Sequence, residues 1–330
     1  MPKKPMKQRL LIFLAFFCLV ATLPADELGG ARATPPSEMD PGALEELLEL
    51  QRTEHEDVRL VLLPTVVTTK KGRPVKGLRP DDFQLQEDFV PHPIDYFATE
   101  AEQPVSIAFL LDLSGSMRQV GKLDEAKESI QVFIDSLLAG DRYGLIGFAD
   151  DQVSWITEFT SDRDNFLQRL AVQAAYGQTA LFDALAATPT LVDAESGGRR
   201  AIVLITDGHD NASTVNSFKA MQLARSVQVP IYTVAFTTFA DRILPKGQVS
   251  PGIALLRRFS DETGGRLFAV GDPDDLKDAV LEIQSELRFQ YVIGYHSQRT
   301  AWDGRFRRIR LDVERKGLTV RTRSGYYANP

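Results

Sequence analysis

Two apolar runs that each end in a carboxylate most constrain how this chain can fold. Val105-Ser-Ile-Ala-Phe-Leu-Leu111 leads into Asp112-Leu-Ser-Gly-Ser-Met117, and Ala201-Ile-Val-Leu-Ile-Thr206 leads into Asp207-Gly208. Near-continuous apolar runs of this length suit central parallel strands covered on both faces. After the first run, Leu123, Ala126, Ile130, Phe133, Ile134 and Leu137 recur at helical spacing. The local order is therefore strand, oxygen-rich loop, amphipathic helix. In open α/β sheets, ligands bind at the carboxyl ends of the strands, where these loops lie.

The rest of the central region keeps this alternation. Tyr143 to Phe148 and Gln152 to Phe159 flank Ala149-Asp-Asp151 as a predicted hairpin, and Phe166 to Ala171 and Leu181 to Leu191 have helical patterns. Phe218 to Val227 predicts a helix, Ile231 to Phe236 a strand, Ile253 to Thr263 a helix closed by Gly264-Gly265, and Leu267 to Val270 the last strand. Asp272-Pro273-Asp274 caps a closing helix that reaches about Leu287. The expected fold is an open, doubly wound, mostly parallel sheet with helices on both faces, spanning residues 104–287.

Chemically, Asp112-x-Ser114-x-Ser116 reads as a site for a hard cation. Mg²⁺ wants near-octahedral oxygen ligands and keeps some of its waters. One carboxylate and two hydroxyls do not saturate it, so other segments must contribute. Gly177-Gln-Thr179 supplies a hydroxyl just before a helical pattern, and Asp207 a second carboxylate. Taken singly, each of these residues is an ordinary turn former or helix cap. Their occurrence together at strand ends is what turn chemistry leaves unexplained.

Asp112, Ser114, Ser116, Thr179 and Asp207 resemble, in type, order and separation, the metal-ion-dependent adhesion site of von Willebrand factor type A domains. The resemblance covers about residues 104–287. It implies that Ser114, Ser116 and Thr179 bind the ion directly, with Asp112 and Asp207 orienting them or acting through water. It also implies Mg²⁺ as the ion, with Mn²⁺ or Ca²⁺ as alternatives, and a protein partner whose Glu or Asp carboxylate completes the coordination. The function implied is non-catalytic, metal-dependent protein binding or adhesion. An exported assembly factor, a metal-free scaffold and a hydrolase are the alternatives.

The hydrolase reading is weak on chemical grounds. Ser114 stands where an Asp-x-Asp phosphatase needs its second carboxylate, and Leu113 and Ser116 are the wrong neighbours for a nucleophile elbow. His209 is the one histidine near the carboxylates and reads as a solvent-facing loop residue; His55, His92 and His296 lack metal-ligand spacing. Asn211-Ala-Ser213 matches a glycosylation triplet, a pattern that often arises by chance.

The flanks have a different texture. Val58 to Thr69, Phe83 to Asp88 and Ile94 to Phe97 read as strands before the central region; Phe289 to Tyr295, Phe306 to Val313 and Leu318 to Arg323 read as strands after it. The last two are expected to pair around Lys316-Gly317. Neither the flank over 57–99 nor that over 288–330 has strands enough for a two-layer core. Together they predict one small β-sandwich into which the central domain is inserted, a plan similar to that of integrin β chains. Arg305, Arg307, Arg308, Arg310, Arg315, Lys316, Arg321 and Arg323 make the second flank basic, as expected for a solvated strand face. With Asp81-Asp-Phe83 and Arg323-Ser-Gly-Tyr-Tyr327, the layout resembles a group of exported bacterial proteins called VWFA-related.

Lys3, Lys4, Lys7 and Arg9 precede the apolar run Leu10 to Leu23, followed by Pro24-Ala25. This is the pattern of a secretory signal over residues 1–25. The apolar run is shorter than the roughly twenty residues of a membrane-spanning helix, so no stable membrane insertion is expected after cleavage. Export to the periplasm, the cell surface or the medium follows. Residues 26–56, rich in Pro, Gly, Ala and Glu, read as a tether with a short acidic helix over Ala43 to Leu50. Cys18 is the only cysteine, so the cleaved chain has no disulfide or thiol chemistry. The formal charge of −7 becomes more negative once the basic leader is removed, which argues against nucleic acid as a partner.

Overall fold

A computed structural model of the chain describes residues 60–100, 104–194, 199–227, 229–237, 249–299, 301 and 303–328. The leader, the tether and the short acidic helix expected before residue 57 lie outside the described residues.

The central region is built on a six-stranded sheet. Its strands are β5 (Val105–Asp112), β6 (Arg142–Ala149), β7 (Gln152–Thr160), β8 (Arg199–Thr206), β9 (Ile231–Phe236) and β10 (Leu267–Val270), in spatial order β10-β9-β8-β5-β6-β7. All neighbours are parallel except β6 and β7, which form the expected hairpin through Asp150 at φ 52°. The order runs outward in opposite directions from the β5–β8 pair. That pair is the topological switch point, where two loops diverge to opposite faces and leave a crevice.

Strand alternation divides the core in two. Ile107, Phe109 and Leu111 face α1 (Lys122–Asp135), α2 (Arg163–Ala171) and α6 (Pro273–Arg288), which contribute Ile130, Phe133, Phe166, Leu276 and Ile283. Ala108, Leu110, Ile202 and Leu204 face α3 (Leu181–Asp193), α4 (Ser217–Ala224) and α5 (Pro251–Thr263), which contribute Leu185, Met221, Leu256 and Phe259. Asp162, Asn216 and Asp272 cap α2, α4 and α6 by accepting backbone N–H bonds. Two helices depart from the sequence reading. α3, expected to reach Leu191, runs on to Asp193, with buried Leu185, Thr188 and Val192 holding its face against the sheet. α4 stops at Ala224, short of the expected Val227.

Strands from both flanks interleave into two antiparallel sheets. One has the order β13-β1-β11-β4, with β1 (Leu60–Thr69), β4 (Tyr96–Glu100), β11 (Gln290–His296) and β13 (Leu318–Arg321); the other has the order β14-β12-β2-β3, with β2 (Phe83–Glu87), β3 (Val90–His92), β12 (Phe306–Val313) and β14 (Gly325–Tyr327). Val61, Leu63, Phe83, Leu85, Ile293, Tyr295, Ile309 and Leu311 fill the space between them. Each sheet takes two strands from each flank, so neither flank completes a sheet alone.

β12 and β13 do not pair with each other. β12 pairs with β2 and β14, and β13 pairs with β1 in the opposite sheet. Lys316-Gly317, with Gly317 at φ 82°, therefore carries the chain across the sandwich rather than closing a hairpin. The basic flank also differs from expectation. Arg305, Arg308, Arg310 and Arg315 are exposed, whereas Arg307 and Arg323 are buried and Arg321 is half-buried. Arg307 faces inward with Ile309 and Leu311 and binds Ala301 O and Asp303 Oδ1, each at 2.9 Å. Arg321 pairs with buried Glu286 of α6, and the Arg323 guanidinium lies 5.4 Å from the Tyr326 ring centre.

Candidate metal centre at the β5–β8 switch point

The loop after β5 folds back on its own strand. Asp112 Oδ1 accepts from the Ser114 backbone N–H at 2.9 Å, which turns the chain and brings the Ser114 and Ser116 hydroxyls to 3.0 Å from each other. Buried Leu113 and Met117 anchor the loop from below. Residues 115–121 continue as a 3-10 turn into α1.

Thr179 reaches the same place on a separate loop. Gly115 N–H donates to Gly177 O at 3.1 Å, and Tyr176 N–H donates to Leu113 O at 2.7 Å. Gly177 sits at φ 65°, and a Cβ there would collide with the Asp150 carboxylate, so only glycine fits. Asp150 in turn accepts from Gln178 N–H at 2.7 Å. From the other side, Asn211 Oδ1 accepts from Thr179 N–H at 2.8 Å. Ser213 Oγ accepts from Phe182 N–H at 2.9 Å, at the start of α3, while Asp183 accepts from Thr214 and Val215 N–H, each at 2.9 Å. The triplet Asn211-Ala-Ser213 thus fixes the Thr179 loop to the segment after β8.

Asp207 follows β8 directly. Lys122 Nζ donates to its Oδ2 at 2.9 Å. Its Oδ1 is buried with no hydrogen-bond partner among the described residues. Thr206 Oγ1 donates to Asp112 Oδ2 at 2.6 Å and accepts from Gly208 N–H at 3.1 Å. Asp112, Ser114, Thr179 and Asp207 are all buried, and Ser116 is partly exposed at the rim. Burial pushes the Asp112 carboxyl up to about 6; hydrogen bonds from Ser114 and Thr206 oppose this, and the charge of Asp207 adds to it.

Hydrogen bonds thus join the three segments expected from the sequence into one cluster. Three residues were not foreseen: Thr206, which orients Asp112; Asn211, which holds Thr179; and Lys122, which pairs with Asp207. His209 is exposed, and no hydrogen bond joins it to Ser114 or Ser116 among the described residues. No three His, Cys, Asp or Glu side chains form a metal-binding group among the described residues. The donors here are hydroxyls and two carboxylates. That set suits a small hard cation with few charged ligands, and Asp207 Oδ1 is a buried acceptor with no donor among the described residues.

The fold is a doubly wound α/β domain with hydroxyls and carboxylates gathered at its switch point, a class of protein defined by its architecture. Within that class, a sequence model for the von Willebrand factor type A domain matches residues 106–282, and the chain belongs to that family. Among its relatives is a UPF0353 protein of Mycolicibacterium gilvum (strain PYR-GCK), 26% identical over 209 residues, covering 57% of this chain and 62% of that protein. The match thus spans less than two thirds of that relative. Among solved structures, the conserved hypothetical protein BatB from Bacteroides thetaiotaomicron is 21% identical with a TM-score of 0.45, covering 55% of this chain and 98% of that one. A von Willebrand factor type A protein from Catenulispora acidiphila is 14% identical with a TM-score of 0.48, covering 80% of this chain and 74% of that one.

Proposed function

We propose that this protein is a non-catalytic binding module, exported from the cytoplasm, that captures a protein partner through a divalent cation. The observation that supports the proposal is that hydrogen bonds draw the loops carrying Asp112, Ser114, Ser116 and Thr179 together at the switch point, where Asp207 Oδ1 is buried with no hydrogen-bond partner among the described residues. Ser114, Ser116 and Thr179 would hold Mg²⁺ directly, and Asp112 and Asp207 would orient the hydroxyls or act through water. The bound ion supplies an electrophilic position that a partner's Glu or Asp carboxylate fills. Because neutral hydroxyls dominate the donor set, little protein charge would offset the ion, which favours an anionic partner group. Mn²⁺ and Ca²⁺ satisfy the same oxygen donors.

A binding site needs no proton-transfer group, and a hydrolase does. His209, the nearest histidine in sequence, is exposed, as a loop residue beside the site would be. Export rests on the leader pattern over residues 1–25. Among the described residues no helix is long and apolar enough to cross a membrane.

Capture of partners from an envelope extract, in Mg²⁺ and then in EDTA, tests this reading. Capture is expected to be lost in EDTA and in Thr179→Ala, and retained in His209→Ala. Capture that survives both EDTA and Thr179→Ala would place the binding surface elsewhere. Ester or phosphate turnover that requires His209 would replace adhesion with catalysis.

A further inference from the structure

Lys122 occupies an unusual place for a lysine. It is the first residue of α1, at the positive end of the helix, where a cation is disfavoured. Its side chain is only 14% exposed, and its ammonium lies 2.9 Å from an Asp207 carboxylate that is 1% exposed. Asp207 offers two oxygens: Lys122 holds Oδ2, and Oδ1 has no partner among the described residues. Asp112, by contrast, has both oxygens engaged by uncharged donors, Ser114 N–H and Thr206 Oγ1. Of the Asp112 and Asp207 carboxylates, the cationic donor Lys122 is thus directed at the one with a spare oxygen among the described residues.

Building on the metal-centre reading, we infer that Lys122 is a tethered cation that competes with the divalent ion for Asp207 and thereby sets the affinity of the site. The ammonium neutralises Asp207, which would otherwise be a buried charge beside the Asp112 carboxyl. A divalent ion entering the cluster meets the like charge of Lys122 and a carboxylate already half satisfied. The lysine therefore stabilises the fold when no ion is bound and weakens the ion's hold when one is. Lys122 is a positioning residue in this account, since it acts through Asp207.

Calorimetric titration with Mg²⁺ alone, together with thermal melts in EDTA, tests this on the full chain. Lys122→Met should tighten Mg²⁺ binding at least tenfold and lower the melting temperature in EDTA. Lys122→Gln provides the same comparison should the methionine variant fold poorly, and Lys122→Arg, which keeps the charge, should bind as wild type does. In an Asp207→Asn background, Lys122→Met should bring no tightening, because the group that both cations seek is gone. Binding that is detectable only once Lys122 is replaced would support the inference in its strongest form. Wild-type binding with equal or weaker binding in Lys122→Met and Lys122→Gln would overturn it and leave the metal centre standing. Failure of every variant to bind Mg²⁺ would overturn both.

Discussion

Thr206 Oγ1 donates a 2.6 Å hydrogen bond to Asp112 Oδ2, tying the carboxyl end of β8 to that of β5. Both side chains are fully buried, so this bond, with that from Ser114 N–H, sets which way the carboxylate points. Hydrogen bonds to charged groups contribute more than neutral ones, and an unsatisfied buried partner is costly. Thr206→Val should cost about 1–3 kcal/mol of stability and weaken Mg²⁺ binding, while Thr206→Ser should be close to wild type. Urea melts with and without Mg²⁺ would check this, and a stable Thr206→Val with unchanged Mg²⁺ affinity would remove Thr206 from the site.

Asp141 contributes stability that is lost at acid pH. Burial pushes its carboxyl up, but the Arg288 guanidinium and the backbone N–H groups of Val105 and Leu138 outweigh this and hold it below the ordinary carboxylate value of 3.8. A depressed folded-state value means that the unfolded chain takes up the proton first as pH falls. The stabilisation is therefore complete above the unfolded value and is lost as pH drops below it toward the folded one. Asp141→Asn, which leaves Arg288 without its buried partner, should cost about 3 kcal/mol at pH 7 and less at pH 3. A cost that is the same at both pH values would show that the pair is not the source.

Glu87 links the two layers of the sandwich. It lies on β2, and its buried carboxylate accepts from Tyr295 Oη at 2.7 Å on β11 in the facing sheet, with Ser297 Oγ at 2.9 Å and Tyr326 Oη at 3.2 Å. Tyr295→Phe should cost about 1–3 kcal/mol, lower the melting temperature and leave Mg²⁺ affinity unchanged. A change in affinity would couple the sandwich to the metal centre, contrary to this account.

The chain's division into parts makes a separate prediction. Residues 104–287 should fold when expressed alone, with reduced stability, because the cut removes Arg288 from Asp141 and Arg321 from Glu286. Residues 57–99 alone, or 288–330 alone, should not fold, since each sheet draws strands from both. A dispersed NMR spectrum from either isolated flank would refute the interleaved sandwich.

Much of this was legible in the sequence because it follows from periodicity. β9 and β10 have the bounds expected from their apolar runs, and the loops after β5 and β8 that carry four of the candidate positions lie at the strand ends where those runs placed them. What escaped depends on partners distant in the chain. Nothing in the sequence around Lys122 points to its target, which lies 85 residues on. Asn211-Ala-Ser213 reads as a glycosylation triplet because the Thr179 loop it binds is a separate segment. Lys316-Gly317 has the composition of a hairpin turn, but β12 is already flanked by β2 and β14, so β13 joins β1. Arg307 and Arg323 belong to a run of basic residues that looks uniformly solvated, and only the packing of the sandwich separates the buried ones from the exposed.

The central claim is that the cluster at the β5–β8 switch point holds a divalent cation, and thermal denaturation with Mg²⁺ titrated against wild type and Asp112→Asn tests it most directly. Ligand that binds only the folded state should stabilise wild type by about 2.7 kcal/mol at a hundredfold excess over its dissociation constant. The account predicts a saturable rise in melting temperature for wild type, no rise for Asp112→Asn, and a cooperative melt for both in EDTA. Equal Mg²⁺-induced shifts in the two proteins, or none in either wild type or Lys122→Met at millimolar Mg²⁺, would contradict it.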